Sequence, residues 1–508
     1  MRLTRRAVIG RAVTGALALA FGISWASAGE VPVPVPRPAK VVLAAAAPKP
    51  VPDVPMRQSG IAGYMLIDLD TGQVLASREP DRGFAPASTA KLPTAIYALD
   101  RLGPDFRFET RVVTDGTIRG ETLEGNLYLL GGGDPELDSD ALIPLVTGLK
   151  ARGFRHVTGQ FLADGSAGPQ RPAIDGDQPA DAAYDPAVSG LNLNFNRVRL
   201  KWDARGKAKL LRISAKAERL DPEVASVRVA LSPYPNAPVL SHAMEGRAEV
   251  WRMAEHAFRG EGGRWLPVRQ PELYAGEVFQ GLARTYGIGL DAPRLGSAPA
   301  GAEVLARVQS RPLDVMLKYM LRYSTNLTAE MVGVAASRTG GAAPGSLAGS
   351  AAALNAWAAA YAGFPAGDPG FRLANHSGLT TESRVSPRRM VELLAAAARR
   401  NPQPGTRFPK LPGGITELMK PYNVAAQSVK LDYKNLQIAA KTGTMAYVRG
   451  LAGYIATPSG RRLAFAIFSN DLERRPDDPE MRSNRTWMAR AQVFERSLIR
   501  SWVIQLDG

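Results

Sequence analysis

Cysteine is absent from all 508 residues, which excludes disulfides, thiolate metal ligands and a cysteine nucleophile. Histidine is nearly as scarce. His156, His242, His256 and His376 are the only four, and none is spaced as His-Glu-x-x-His, leaving a carboxylate-held metal as the sole formal route to metal-dependent hydrolysis. Acidic and basic low-complexity runs are missing too, so nothing marks the chain as disordered or as a nucleic-acid module. Beyond the first thirty residues there is no apolar stretch long enough to span a bilayer.

What is present is basic. The formal net charge is +16, which leaves peripheral association with a membrane or wall polymer open. The arginines are scattered and not interleaved with aromatics, so a solvated surface is the preferred reading and no nucleic-acid partner is expected. A chain of this length exceeds one ordinary core, and two or three domains are expected.

Residues 1–28 read as an export signal: Arg2, Arg5, Arg6 and Arg11 precede a small, apolar run that ends in Ala26-Ser27-Ala28. The Thr4-Arg5-Arg6-Ala7-Val8 context resembles a twin-arginine signal, which would mean export after folding. Val31 to Pro55 alternates Val and Pro and carries an Ala run, so residues 29–55 are expected to form an extended tether. The mature protein is expected in the periplasm.

Two strands are predicted at Tyr64–Leu69 and Gln73–Ser77, joined by the turn Asp70-Thr71-Gly72. A helix should run from Ser88 to Arg101, with Leu92, Ala95, Ile96 and Leu99 on one face and Gly103-Pro104 stopping it. Pro93 inside it is expected to loosen one backbone bond. From residue 110 to 305 short alternating stretches such as Asn126–Leu130, Val198–Trp202, Leu210–Ile213 and Val227–Leu231 suggest a β-rich insertion of one or two subdomains. Helices return at Pro312–Leu321, Ser346–Ala362 and Pro387–Arg399. Three strands at Leu436–Thr444, Leu451–Ala456 and Leu463–Ser469 precede a last helix, Trp487–Ile504. The simplest layout is a catalytic domain built from 56–109 and 306–508 around residues 110–305.

Three motifs carry the chemistry: Ser88-Thr89-Ala90-Lys91, Ser324-Thr325-Asn326 and Lys441-Thr442-Gly443. A serine hydroxyl needs a nearby base to attack an acyl bond. Three residues on along a helix, Lys91 projects over the same face as Ser88. Burial and a second cation, Lys441, would push its pKa down and make it that base. Ser324-Thr325-Asn326 sits between two helices, where capping alone would account for it. With the other motifs, Ser324 becomes a proton relay between Lys91 and the leaving amine, and Asn326 holds Lys91 and the substrate amide. Lys441-Thr442-Gly443-Thr444 reads as an edge strand that pairs with an extended peptide. There Lys441 and Thr442 would meet a free carboxylate, Gly443 would allow close approach, and backbone N–H groups of Ser88 and Thr444 would form the oxyanion hole. His376 beside Ser377 invites a Ser-His-Asp scheme, but no Gly-x-Ser-x-Gly elbow surrounds any serine, so His376 is read as structural or substrate-facing.

The triple motif resembles the penicillin-recognising serine acyltransferases. Tyr128-Leu129-Leu130-Gly131-Gly132-Gly133-Asp134-Pro135, Asn192–Asn196, Ser324–Glu330, His376-Ser377-Gly378-Leu379 with Val385-Ser386-Pro387, and Ala440–Thr444 followed by Gly450–Tyr454 narrow it. From about Gly60 onward they resemble the D-alanyl-D-alanine carboxypeptidase/endopeptidase family, the class C low-molecular-mass penicillin-binding proteins (the DacB-like group). The long gap between Lys91 and Ser324 agrees with the insertion found in that family. Thr325 departs from its commoner Asp or Asn, and Asn375 from its commoner Asp.

The resemblance implies an α+β, serine β-lactamase/DD-peptidase-like fold, an antiparallel sheet flanked by helices. It also implies a serine DD-peptidase acting on peptidoglycan peptides that end in D-Ala-D-Ala or carry D-amino cross-links. β-Lactam antibiotics would be its inhibitors, and no metal or organic cofactor would be needed. A serine β-lactamase and a non-catalytic wall-binding scaffold stay open as alternatives.

Overall fold

The computed structural model describes residues 54–206, 209–339, 341, 345–424, 435–475 and 482–507. The expected export signal and nearly all of the tether lie outside these residues. Of the elements that position the site, β1 (Ile61–Asp68) and β2 (Val74–Arg78) come first, and α1 (Lys91–Leu102) follows directly on a 3₁₀ turn over Ala87–Ala90. After the middle of the chain come α2 (Leu313–Tyr323), α3 (Asn326–Thr339), α4 (Leu347–Ala362) and α5 (Pro387–Arg400). The strands β3 (Lys420–Pro421), β4 (Gln437–Met445), β5 (Val448–Ala456) and β6 (Arg462–Asn470) precede α6 (Arg482–Asp507).

The six strands form one antiparallel sheet in the order β3-β4-β5-β6-β1-β2. Successive side chains of a strand point to opposite faces, and each face has its own apolar cover. Met65, Ile67, Tyr454, Ala464, Ala466 and Phe468 pack with α1 to α5. Tyr64, Leu66, Ile455, Leu463, Phe465 and Ile467 pack with Phe494, Leu498, Trp502 and Val503 of α6. The architecture is α+β, a sheet between helical layers, as expected.

Element ends are set by ordinary signals. Ser346 and Ser386 cap α4 and α5, each side chain accepting from the backbone N–H three residues on. Pro93 breaks nothing, against the expectation from sequence. It stands third in α1, where the N–H groups have no intrahelical acceptor.

Buried apolar residues between Val112 and Leu305 form a core of their own, under a five-stranded sheet and several three-stranded ones. This segment, read from sequence as strands, also holds two helices, Ile143–Ala151 and Pro271–Thr285. Part of it reaches the catalytic side: Ile174 and Val188 pack with Leu327, Met331 and Val334 of α3. Among the described residues no helix is long and apolar enough to cross a membrane.

Candidate active site

The 3₁₀ turn, and not the α-helix expected, carries Ser88. Thr89 N–H and Oγ1 both donate to Pro86 O, and Ala87 takes the left-handed conformation at φ 44°. That conformation is unusual for a non-glycine residue and typical of functional sites. Half-buried Ser88 is thereby fixed one turn before Lys91, the first residue of α1.

Lys91 is fully buried, at 0 % exposure. Its Nζ lies 3.0 Å from Ser88 Oγ, 2.7 Å from Asn326 Oδ1 and 2.8 Å from Ser377 O. Two of these partners, an amide oxygen and a backbone carbonyl, only accept. A neutral amine spends its two hydrogens on them and turns its lone pair to the Ser88 hydroxyl. Burial, then the nearby Lys441 cation, hold the Lys91 pKa well below the ordinary lysine value, with Glu330 opposing them.

Ser324 is the C-cap of α2 and is also left-handed, at φ 61°. Its Oγ accepts from Lys441 Nζ at 3.1 Å, so the relay expected between Lys91 and the leaving group is hydrogen-bonded to the other lysine. Lys441 Nζ also donates to Thr442 O at 2.7 Å. Burial first, then Arg449 and Lys420, lower the Lys441 pKa to about 7. Asn326 opens α3. Besides holding Lys91, its Nδ2 donates to Tyr184 O at 2.8 Å, a partner from the middle segment that sequence reading did not supply.

Lys441, Thr442, Gly443 and Thr444 lie on β4. The only described strand on its outer side, β3, pairs with Ala439 and Ala440 alone, so from Lys441 onward that edge carries no described partner. Inward, β4 presses against the Ser88 turn. A Cβ at Gly443 would stand 2.6 Å from Pro86 O and 3.0 Å from Thr89 N. Gly443→Ala is therefore expected to push the strand off the turn, costing roughly 1–3 kcal/mol of stability and at least about tenfold in activity. A variant with wild-type turnover would refute the tight fit.

His376 is fully buried. Its Nε2 contacts Ser350 Oγ at 2.7 Å, and burial drops its pKa to about 3, so it is a neutral core residue and faces no substrate. The two departures from the family pattern are structural: Thr325 Oγ1 donates to Thr328 Oγ1, and Asn375 Oδ1 accepts from Gly378 N–H. Sequence reading named no role for Glu330, Ser377 O or Tyr184 O. Only Glu330 left a trace, one helical turn past Asn326 on the same face. No group of three His, Asp or Glu among the described residues is placed to hold a metal.

Beside Ser324 and Asn326 lies a cavity of about 100 Å³ whose walls also include Tyr184 and Tyr323. It shares Phe195 and Arg197 with a neighbouring cavity of about 650 Å³ that also holds Trp265 and Asp134.

A family model described as D-Ala-D-Ala carboxypeptidase 3 (S13) matches residues 44–492. The chain belongs to that family. It is a serine-type D-Ala-D-Ala carboxypeptidase, a hydrolase of the cell wall. The D-alanyl-D-alanine carboxypeptidase of Actinomadura sp. strain R39 is 29 % identical over 462 residues, covering 82 % of this chain and 79 % of that one. The D-alanyl-D-alanine carboxypeptidase DacB of Haemophilus influenzae is 25 % identical over 451 residues, 86 % of this chain and 90 % of that one. The crystal structure of penicillin binding protein 4 (dacB) from H. influenzae shares the S13 chain's fold, with a TM-score of 0.68 at 23 % identity, over 88 % of this chain and 97 % of that one.

Proposed function

We propose that Ser88 is the acylated nucleophile. Lys91 takes the Ser88 proton as Oγ attacks the carbonyl of the penultimate D-Ala, and backbone N–H groups of Ser88 and Thr444 hold the oxyanion. The C–N bond then breaks, Ser324 delivers the proton to the departing amine, and water hydrolyses the acyl-enzyme. Lys441 and Thr442 receive the terminal carboxylate. Asn326 orients Lys91, with its remaining N–H turned to the substrate amide. The observation that carries this reading is the set of Lys91 contacts: two partners that only accept, and Ser88 Oγ at 3.0 Å, which a neutral amine could meet with its lone pair.

A β-lactam would acylate the same serine and leave slowly. Cross-link cleavage, the endopeptidase reaction, is favoured by the roughly 650 Å³ cavity that adjoins the smaller one at Ser324 and Asn326, which would give room to more than a two-residue end. Residues 110–305 act as a separate domain in this reading, contributing Tyr184 O to the centre. The substrate places the enzyme in the periplasm, reached through the signal at 1–28 with its twin-arginine context. The basic surface would lie against wall or membrane there.

Intact-mass spectrometry over time with benzylpenicillin tests the reading. A lasting adduct on Ser88 is expected. Rapid drug turnover with a fleeting adduct would make the protein a β-lactamase, and neither adduct nor turnover would leave it a scaffold.

A further inference from the structure

Glu330 takes no part in the steps above, yet it lies at 0 % exposure beside the base. It sits four residues after Asn326 on α3, so the two side chains share one helix face. Glu330 Oε2 accepts from His376 N–H at 3.0 Å and Oε1 from Ser377 N–H at 2.8 Å. Ser377 O, on the same residue, is the acceptor that fixes Lys91 Nζ at 2.8 Å. Thr94 Oγ1, from α1, donates to His376 O at 2.8 Å, so the 376–377 backbone is pinned from both sides.

We infer that Glu330 is a positioning residue for Lys91: its carboxylate sets the Ser377 carbonyl that aims the amine, and its charge stabilises the ammonium formed when Lys91 accepts the Ser88 proton. The inference rests on the Ser88–Lys91 reading above. Both carboxyl oxygens face N–H donors, an arrangement that a carboxylate satisfies and a carboxylic acid does not. Burial raises the Glu330 pKa above the ordinary glutamate value, and the Ser377 and His376 donors and then Lys91 oppose that rise. The charged groups facing Lys91 are Lys441 from β4 and Glu330 from α3, and they act in opposite directions. His376 on the intervening loop is held neutral by burial. Glu330 thus limits how far Lys441 and burial depress the base, and so keeps Lys91 basic enough to take a proton from a hydroxyl.

The test is the pH dependence of acylation by benzylpenicillin for wild type, Glu330→Gln and Glu330→Asp, with the Lys91 titration followed in parallel by ¹³C NMR of its side chain. Lys91 works neutral, so the rate falls as pH drops through its pKa. A nearby carboxylate raises that pKa, and its removal moves the fall to lower pH. Glu330→Gln is expected to lower the high-pH plateau at least about tenfold and to shift the acid limb down by roughly one pH unit. Glu330→Asp keeps the charge but not the reach: its plateau should fall while its limb stays where the wild-type limb lies. A Glu330→Gln limb identical to wild type, or a Glu330→Asp plateau equal to wild type, would overturn the inference. Should wild type not be acylated, the nucleophile reading fails, and the Lys91 titration decides alone: a downward shift in Glu330→Gln upholds the coupling and no shift ends it.

Discussion

Ser88→Ala is expected to lower kcat/KM for release of D-alanine from a D-Ala-D-Ala peptide by about 10⁴-fold or more. Lys91, Asn326 and the β4 edge stay in place, so the variant should still bind the peptide, but no other group near Lys91 can form the acyl bond. Besides Ser88, that amine is hydrogen-bonded only to an amide oxygen and a backbone carbonyl, and His376 on the neighbouring loop is a buried core residue at 0 % exposure. Ser88 is half-buried and makes one side-chain contact, so stability should change by no more than about 0.5 kcal/mol. Urea midpoints within error of wild type would show that lost turnover is lost chemistry. Activity within tenfold of wild type, or a benzylpenicillin adduct mapped to another serine, would refute the assignment.

The second large effect concerns the far side of β4. Arg449 on β5 donates through Nε to both Glu495 carboxyl oxygens, each at 3.0 Å, and through Nη1 to Thr444 Oγ1 at 2.9 Å. The arginine and glutamate side chains are 8 % and 1 % exposed. Removing one member of such a pair strands the other charge in the interior, which costs about 3–5 kcal/mol. Glu495→Ala should accordingly lower the urea midpoint and also slow acylation, since the freed guanidinium no longer anchors Thr444. Replacing both partners together, Arg449→Met with Glu495→Leu, should restore most of the stability without restoring the Thr444 contact. A Glu495→Ala variant that loses less than about 1 kcal/mol would show the pair to be weak.

The features legible in the sequence were those encoded locally. Ser88 and Lys91 are three residues apart, and helical geometry alone brings their side chains together. The β5 and β6 strands announced themselves by largely apolar runs, because both faces of the sheet are covered by helices. Tyr184 O and Ser377 O were invisible, since a backbone carbonyl leaves no residue-type signal and these reach across 142 and 286 positions to Asn326 and Lys91. Glu330 was seen as part of a motif but had no assigned task, because its partners are backbone N–H groups of a distant loop. Pro271–Thr285 was missed for a packing reason. Gly276 weakens its helical pattern, yet a Cβ there would stand 2.7 Å from Pro293 Cβ, so close contact overrode propensity.

The sheet order has a consequence for biosynthesis. β1 pairs early with β2 on one edge, but on the other it waits for β6, Tyr64 opposite Ile467, and Ala85 N–H just before the Ser88 turn donates to Asn470 Oδ1, 385 residues away. A ribosome therefore exposes Ser88 long before it makes the strands that would hold it, and loop closure on that scale delays their pairing. If Ser88 is the nucleophile proposed, the nascent chain is a dormant hydrolase: it would carry that serine throughout synthesis and become able to use it only when residue 470 has emerged and docked. Any truncation upstream of β6 should leave a fragment in which Ser88 is an ordinary alcohol.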